Sequence, residues 1–215
     1  MNRQVYSELM QVKYPDGESH GCKLDSFTVS KKDAEMERVR AMFGNGRGVP
    51  EGTYMRMSVR GTLMMTDTPD ELRDHREPFY QAKGICLVTG LGLGCVVQGM
   101  LERRDREGVL AVQKVIVIEK EAGVIELVGK PLKERYGDRL EIRHADALTY
   151  KAPKGERYNV VWHDIWPDIC EDNLDTMATL HRKYGRRCDW QGSWQRHQLK
   201  ALRRESRSRE RAYRW

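Results

Sequence analysis

The chain has 215 residues, 39% hydrophobic and 33% charged, with a formal net charge of +6. That length suits one domain with an appendage, or two very small ones, around a single modest core. No run of 18 apolar residues and no apolar N-terminal leader occurs, which excludes a membrane partner and predicts a cytoplasmic protein.

Five scattered cysteines (Cys22, Cys86, Cys95, Cys170, Cys188) form no CxxC pair, which argues against a disulfide framework and a zinc knuckle. The charge is uneven. From His181 to Trp215 there are 12 basic and 3 acidic residues, a local balance of +9, and the rest of the chain stands at -3.

In chain order, the first 30 residues carry a turn at Pro15-Asp16-Gly17 and no clear periodicity. Ser30 and Asp33 form a capping-box pattern that predicts a helix through Phe43, stopped by Gly44-Asn45-Gly46. A glycine-rich linker to Gly52 follows. Residues 54–60 alternate apolar and polar, Gly61 turns the chain, and Thr62 to Met65 return, which predicts a hairpin. Asp67 to Arg76 is an acidic stretch, read as a short helix or loop.

From Gly84 the texture changes. Ile85-Cys86-Leu87-Val88 and Val115-Ile116-Val117-Ile118 are continuous apolar runs, the mark of strands buried on both faces. Leu140-Glu141-Ile142 and Asn159-Val160-Val161-Trp162 give a third and a fourth strand. The intervening segments read as helices, the one from Ala122 to Tyr136 divided by Pro131. Alternating strands and helices predict a parallel sheet of βαβ units. After Asp164 no further strand is legible; Asn173 to Tyr184 and Trp194 to Arg211 read as helices.

Thr89-Gly90-Leu91-Gly92-Leu93-Gly94 follows the first buried strand and opens a helix. Glycines there let the backbone turn tightly and let a ligand approach the N–H groups of the helix start. No Gly-Lys-Ser/Thr follows, so a P-loop is excluded. Glu119 ends the next strand, where a carboxylate accepts both hydroxyls of a ribose. Asp146 and Ala147 follow the third strand, where a carboxylate and a backbone N–H read an adenine edge; read structurally, Asp146 is a helix N-cap.

These segments, Leu87 to Gly94, Val115 to Glu119, Arg143 to Ala147 and Val160 to Pro167, resemble the ordered motifs of class I S-adenosylmethionine-dependent methyltransferases, closest to the spermidine-synthase-like branch. The similarity covers about 40% of the chain, and the preceding hairpin is similar to the small β region of that branch. The resemblance implies S-adenosylmethionine as cofactor. Gly90, Gly92 and Gly94 would border its methionine part, Glu119 its ribose, and Asp146 with Ala147 its adenine. Thr89 stands where many such enzymes place an acid for the cofactor's amino group. Leu93 replaces the loop aspartate of polyamine synthases.

Trp162-His163-Asp164-Ile165-Trp166-Pro167-Asp168 lies beyond the fourth strand, where catalytic groups of doubly wound sheets collect. Asp164 is the candidate catalytic residue, positioning or deprotonating the nucleophile. Trp166 and Asp168 are candidate substrate contacts, Trp166 by stacking; the bland reading is a structural Trp at a strand end. His163 is expected to face away. The segment is faintly similar to the Asp-Pro-Pro-Tyr motif of amino-methyltransferases.

The expected fold class is α/β: a Rossmann-like parallel sheet of the class I methyltransferase type. It is expected to be truncated after the fourth core strand, with an N-terminal β-hairpin and C-terminal helices. The missing strands would be supplied by that hairpin or by a second chain, as in a homodimer. Three regions are expected: an N-terminal helix and hairpin (1–80), the cofactor-binding core (81–170) and a basic helical segment (171–215). Trp190 and Trp194 are expected to dock the last helix on the body. The leading functional reading is a methyltransferase of unknown acceptor. A second is a non-catalytic module of the same fold that binds nucleic acid or a protein through its Arg-rich end. A polyamine synthase is the third, which Leu93 disfavours.

Overall fold

The computed structural model describes residues 8–43 and 48–212. The expected helix stop at Gly44-Asn45-Gly46 and the terminal Tyr213-Arg214-Trp215 lie outside the described residues. Two sheets organise the chain. Strands β1 (Gly17–Ser19), β2 (Cys22–Val29), β3 (Gly52–Val59) and β4 (Thr62–Thr66) form an antiparallel sheet in that order. Helix α1 (Lys31–Phe43) connects β2 and β3. It starts at the predicted cap, the Asp33 N–H donating to Ser30 Oγ at 3.2 Å.

The expected hairpin is therefore half of a larger sheet. The burial parity of β2 explains why the sequence hid it. Cys22 and Leu24 point inward, but beyond them the half-buried positions are Asp25, Phe27 and Val29, so no single alternation runs the strand.

Two short helices, α2 (Pro69–Asp74) and α3 (Arg76–Gln81), meet at His75 and lead into the second sheet. Its strands are β5 (Gly84–Thr89), β6 (Val112–Glu119), β7 (Leu140–His144), β8 (Tyr158–His163) and β9 (Cys188–Ser193). They lie in the order β7-β6-β5-β8-β9, and all pairs are parallel. This is a Rossmann-like α/β sheet, with the strand order reversing between β5 and β8.

Helix α4 (Cys95–Glu102) follows β5. Between β6 and β7 the chain forms α5 (Ala122–Val124), a π turn (Ile125–Gly129) and α6 (Lys130–Tyr136). Pro131 has no N–H, and its ring crowds the carbonyl four residues earlier, so the wider turn just ahead of it is the physical form of the expected division.

The expected truncation after the fourth core strand is corrected: β9 is a fifth parallel strand, within a segment read as wholly helical. Cys188-Asp189-Trp190-Gln191-Gly192-Ser193 lacks an apolar run because an edge strand is covered on fewer sides. Nor does the N-terminal hairpin complete this sheet; it belongs to the separate antiparallel one. Trp190 lies in β9 and stacks on Trp162 (centroids 6.4 Å, planes 6° apart), so it anchors a strand and not, as expected, the last helix. Helices α7 (Asn173–Tyr184) and α8 (Arg196–Ala212) match their expected spans closely.

One core layer joins the antiparallel sheet to one face of the parallel sheet, through Leu24, Met57, Val88, Val97, Met100 and Trp162. Asp67 ties its margins, taking the N–H of Met55 on Oδ1 (2.7 Å) and of Val12 on Oδ2 (3.3 Å). The opposite face packs Leu87, Ile116 and Val161 against Leu180 and Tyr184 of α7. Among the described residues no helix is long and apolar enough to cross a membrane.

Candidate functional site

A cavity of about 680 Å³ lies between the antiparallel sheet and the carboxyl ends of the parallel strands. The reversal of strand order leaves a crevice at that place in open α/β sheets. Ladder bonds continue past the strands and align the loops that form its floor. The Gly90 N–H donates to the Ile118 carbonyl, Ala145 to Glu119, and Asp164 to Thr89, each at 2.9 Å.

One side of the cavity is built on this floor. Gly90, Gly92, Glu119, Asp146 and Ala147 all line it. Gly90 has φ +87°, and a Cβ there would run into the Asp164 carbonyl, so loop and fourth strand touch backbone to backbone. Glu119 is buried, and each oxygen already takes one backbone N–H: Leu91 on Oε2 (2.7 Å) and Glu121 on Oε1 (2.8 Å). A carboxylate has about four acceptor sites, so room for two more donors remains. Asp146 is exposed, and its Oδ1 accepts the Leu148 N–H at 2.7 Å. That closes a tight turn rather than the helix cap of the bland reading, because no helix starts there.

Two of the expected cofactor residues are not brought to the cavity wall. Thr89 is fully buried, and strand alternation puts it on the Leu87 face, where its hydroxyl bonds His163 Nδ1 at 3.0 Å. Gly94 takes a left-handed conformation (φ +75°) at the start of α4, under Leu132 and Tyr14. It serves the turn and the packing. His163 faces away from the cavity, as its position in the strand predicts.

The other side is assembled from distant segments. Asp164 Oδ2 lies 2.8 Å from His75 Nε2, a side chain 4% exposed, and both line the cavity with Glu71. Burial is the largest influence and works against a charged imidazole, but the hydrogen bond to Asp164 and the charges of Asp164, Asp74 and Glu71 together outweigh it, and the His75 pKa stands above its ordinary 6.5. Burial likewise raises Glu71, whose Oε2 accepts the Thr66 N–H at 2.6 Å.

Trp166, Asp168 and Trp194 extend this wall. Trp166 is pinned by its Nε1–H to Thr176 Oγ1 at 2.9 Å, and Asp168 is exposed at the rim. Six acids reach the cavity (Glu71, Glu119, Glu121, Asp146, Asp164, Asp168) against Arg60 and Lys120, with Arg60 held to Glu121 at 3.0 Å.

The sequence reading missed Glu71, His75 and the place of Trp194. Glu71 and His75 are four residues apart, the spacing that puts two side chains on one helical face. That was the available signal within a stretch read only as acidic. Among the described residues no cluster of His, Cys, Asp and Glu is arranged to hold a metal ion.

No protein-family model matches the chain, and no curated protein does. Among solved structures it is similar to a dimethyladenosine transferase from Plasmodium falciparum, at 24% identity and a TM-score of 0.36, over 51% of this chain and 38% of that one. It is similar to the CcbJ methyltransferase from Streptomyces caelestis, at 16% identity and a TM-score of 0.38, over 52% and 44%. The N-methyltransferase NodS from Bradyrhizobium japonicum WM9 gives 12% identity and a TM-score of 0.40, over 56% and 63%. The chain thus spans less than two thirds of the length of each.

Proposed function

We propose that the protein is an S-adenosylmethionine-dependent methyltransferase. The observation that carries this reading is the convergence of the glycine loop, Glu119, Asp146 and the Asp164–His75 pair on one cavity at the strand-order reversal. The residues fit the cofactor. The remaining acceptor sites of Glu119 suit two ribose hydroxyls, Asp146 and the Ala147 backbone suit an adenine edge, and Gly90 and Gly92 leave the loop backbone bare toward the methionine part.

When bound, a sulfonium cofactor supplies an electrophilic methyl carbon: the acceptor lone pair forms the new bond as the carbon–sulfur bond breaks, leaving a neutral thioether. Asp164 holds the acceptor's N–H or O–H and takes its proton. His75 acts through Asp164 and is a positioning residue, its Nε2 fixing one carboxylate oxygen so that the other faces the cavity. Trp166 and Trp194 exclude water from the acceptor side.

Leu93 supports methyl over aminopropyl transfer. It is fully buried and does not line the cavity, so the loop offers no carboxylate to anchor an amine chain. Calorimetry with S-adenosylmethionine and S-adenosylhomocysteine tests the reading. Micromolar binding is expected; no heat from folded protein at millimolar ligand overturns it.

A further inference from the structure

We infer that the acceptor is an amino group on a base of a single-stranded nucleic acid, whose backbone lies along the outer end of α8. This rests on the methyltransferase reading and names its substrate class. The inference comes from two oppositely charged regions placed side by side, an acidic cavity and a basic helix that begins at its wall.

Helix α8 is fixed to the cavity at its start. Trp194 lines the cavity, and its N–H donates to the His163 carbonyl at 2.9 Å. Leu199 is fully buried with Leu174 and Met177 of α7, and Trp166 packs on the same cluster. Further along, Arg203 donates to the Glu171 carbonyl at 2.8 Å and reaches Asp175 at 3.4 Å. Helix α8 therefore runs along α7 toward its N-terminus, and its later residues are carried past the beginning of α7. That is the side on which Pro167, Asp168 and Ile169 form the cavity rim.

Lys200, Arg204, Arg207 and Arg209 are exposed on α8, and among the described residues none of them forms an ion pair. Lys200, Arg204 and Arg207 recur at intervals of four and three, one helical face rising about 1.5 Å per residue. Such a cationic rail suits a phosphate backbone.

The occupant is narrowed by what lies at the end of the rail. A polycation would be repelled by it, although the acidic cavity alone would accept one. A membrane surface needs an apolar stripe beside the charges. Here Leu199 is buried in the body, leaving Leu202 as the large apolar residue exposed on this helix. A nucleic acid satisfies both regions. Its phosphates meet the arginines, and an unstacked base offers a flat face to Trp166 and Trp194 and an amino N–H to Asp164. A single strand is specified because a base within a duplex cannot enter the cavity without being unstacked first.

The test is fluorescence anisotropy of the full chain with labelled single strands of about 20 nucleotides, as RNA and as DNA, from about 50 to about 200 mM salt. Binding of either strand is expected, weakening at least ~10-fold across that range. Arg204→Glu/Arg207→Glu/Arg209→Glu is expected to lose at least ~10-fold in strand affinity with calorimetric cofactor affinity unchanged. A strand of the same length lacking bases is expected to bind at least ~3-fold more weakly than the intact one.

The inference is overturned by folded protein that binds neither strand at low salt, or by a charge-reversed variant that binds like the parent. It is equally overturned by abasic strands that bind as well as intact ones, or by capture on phosphatidylserine vesicles without strand binding. Loss of cofactor binding with strand binding intact would sink the methyltransferase reading instead, so the two failures are distinguishable.

Discussion

The two sides of the cavity are built from different materials. The glycine-loop side is backbone and strand ends of one sheet: Gly90 directly after β5, Glu119 the last residue of β6, and Asp146 just past β7. The side proposed for the acceptor brings together Glu71 from α2, His75 from the junction of α2 and α3, Asp164 and Trp166 from beyond β8, and Trp194 from beyond β9. The first side is rigid by construction, because ladder hydrogen bonds fix it. The second depends on packing between segments far apart in sequence, so it is the side that can vary without disturbing the sheet.

That contrast is breakable. Asp164→Asn removes the proposed proton acceptor but keeps the shape. The turnover rate should fall about 10²- to 10⁴-fold, and cofactor affinity should stay within about threefold if the two sides are separate; a parallel loss of cofactor binding would join them. Glu119→Ala breaks two charged hydrogen bonds that hold the loop, each worth about 1.5–3 kcal/mol. It should abolish cofactor binding by calorimetry and lower the melting temperature together; a variant with intact affinity would remove Glu119 from the site.

On the face of β8 away from the cavity stand two neighbouring histidines, His163 fully buried and His181 half-buried. His163 and His181 have ring centroids 5.5 Å apart, and burial pushes their pKa values down to about 3 and about 4. Their folded values lie below the unfolded 6.5, so the neutral forms are favoured by folding. The stability they confer is present above pH 6.5 and is lost as pH falls toward 4 and then 3, at about 1.4 kcal/mol for each pKa unit that separates folded from unfolded. Denaturant melts between pH 7 and pH 4 should show this decline, and His181→Asn should flatten it; an unchanged slope would locate the acid sensitivity elsewhere.

His75 works in the opposite sense. Its folded pKa is raised, so folding favours its protonated form; the stability this confers is present in full below 6.5 and is lost as pH rises through the folded value. His75→Gln is expected to slow turnover about tenfold and to erase the alkaline limb of its pH profile, with KM nearly unchanged. A purely structural role would lower the rate and leave that limb in place. The smallest effect is expected from Asp168→Asn, an exposed rim residue, at no more than about threefold in KM, since a surface charge is screened by solvent.

Legibility in the sequence follows the same division. Gly90, Glu119 and Asp164 could be found because each sits at the end of an apolar run, and Asp146 because it follows a recognisable third strand, local patterns that need no knowledge of the rest of the chain. Thr89 was misplaced because the motif fixes its number but not its face, and the pleat turns it to His163. His75 escaped because its meaning lies 89 residues away, at Asp164. Strand β9 escaped because edge pairing places little demand on composition. Trp194 was assigned to a helix face when it belongs to the turn after that strand.

The contact between Gly90 and the Asp164 carbonyl has a mechanical consequence. Strands β5 and β8 are neighbours, so the loop that would hold a methyl donor and the carboxylate that would hold its acceptor are set apart by a single interstrand pitch of about 4.8 Å. The sheet acts as a gauge block between them. On the proposed reading, an acceptor would present its reactive atom at that offset, and selection among acceptors would fall to the opposite wall, lined by Glu71, His75, Trp166 and Trp194.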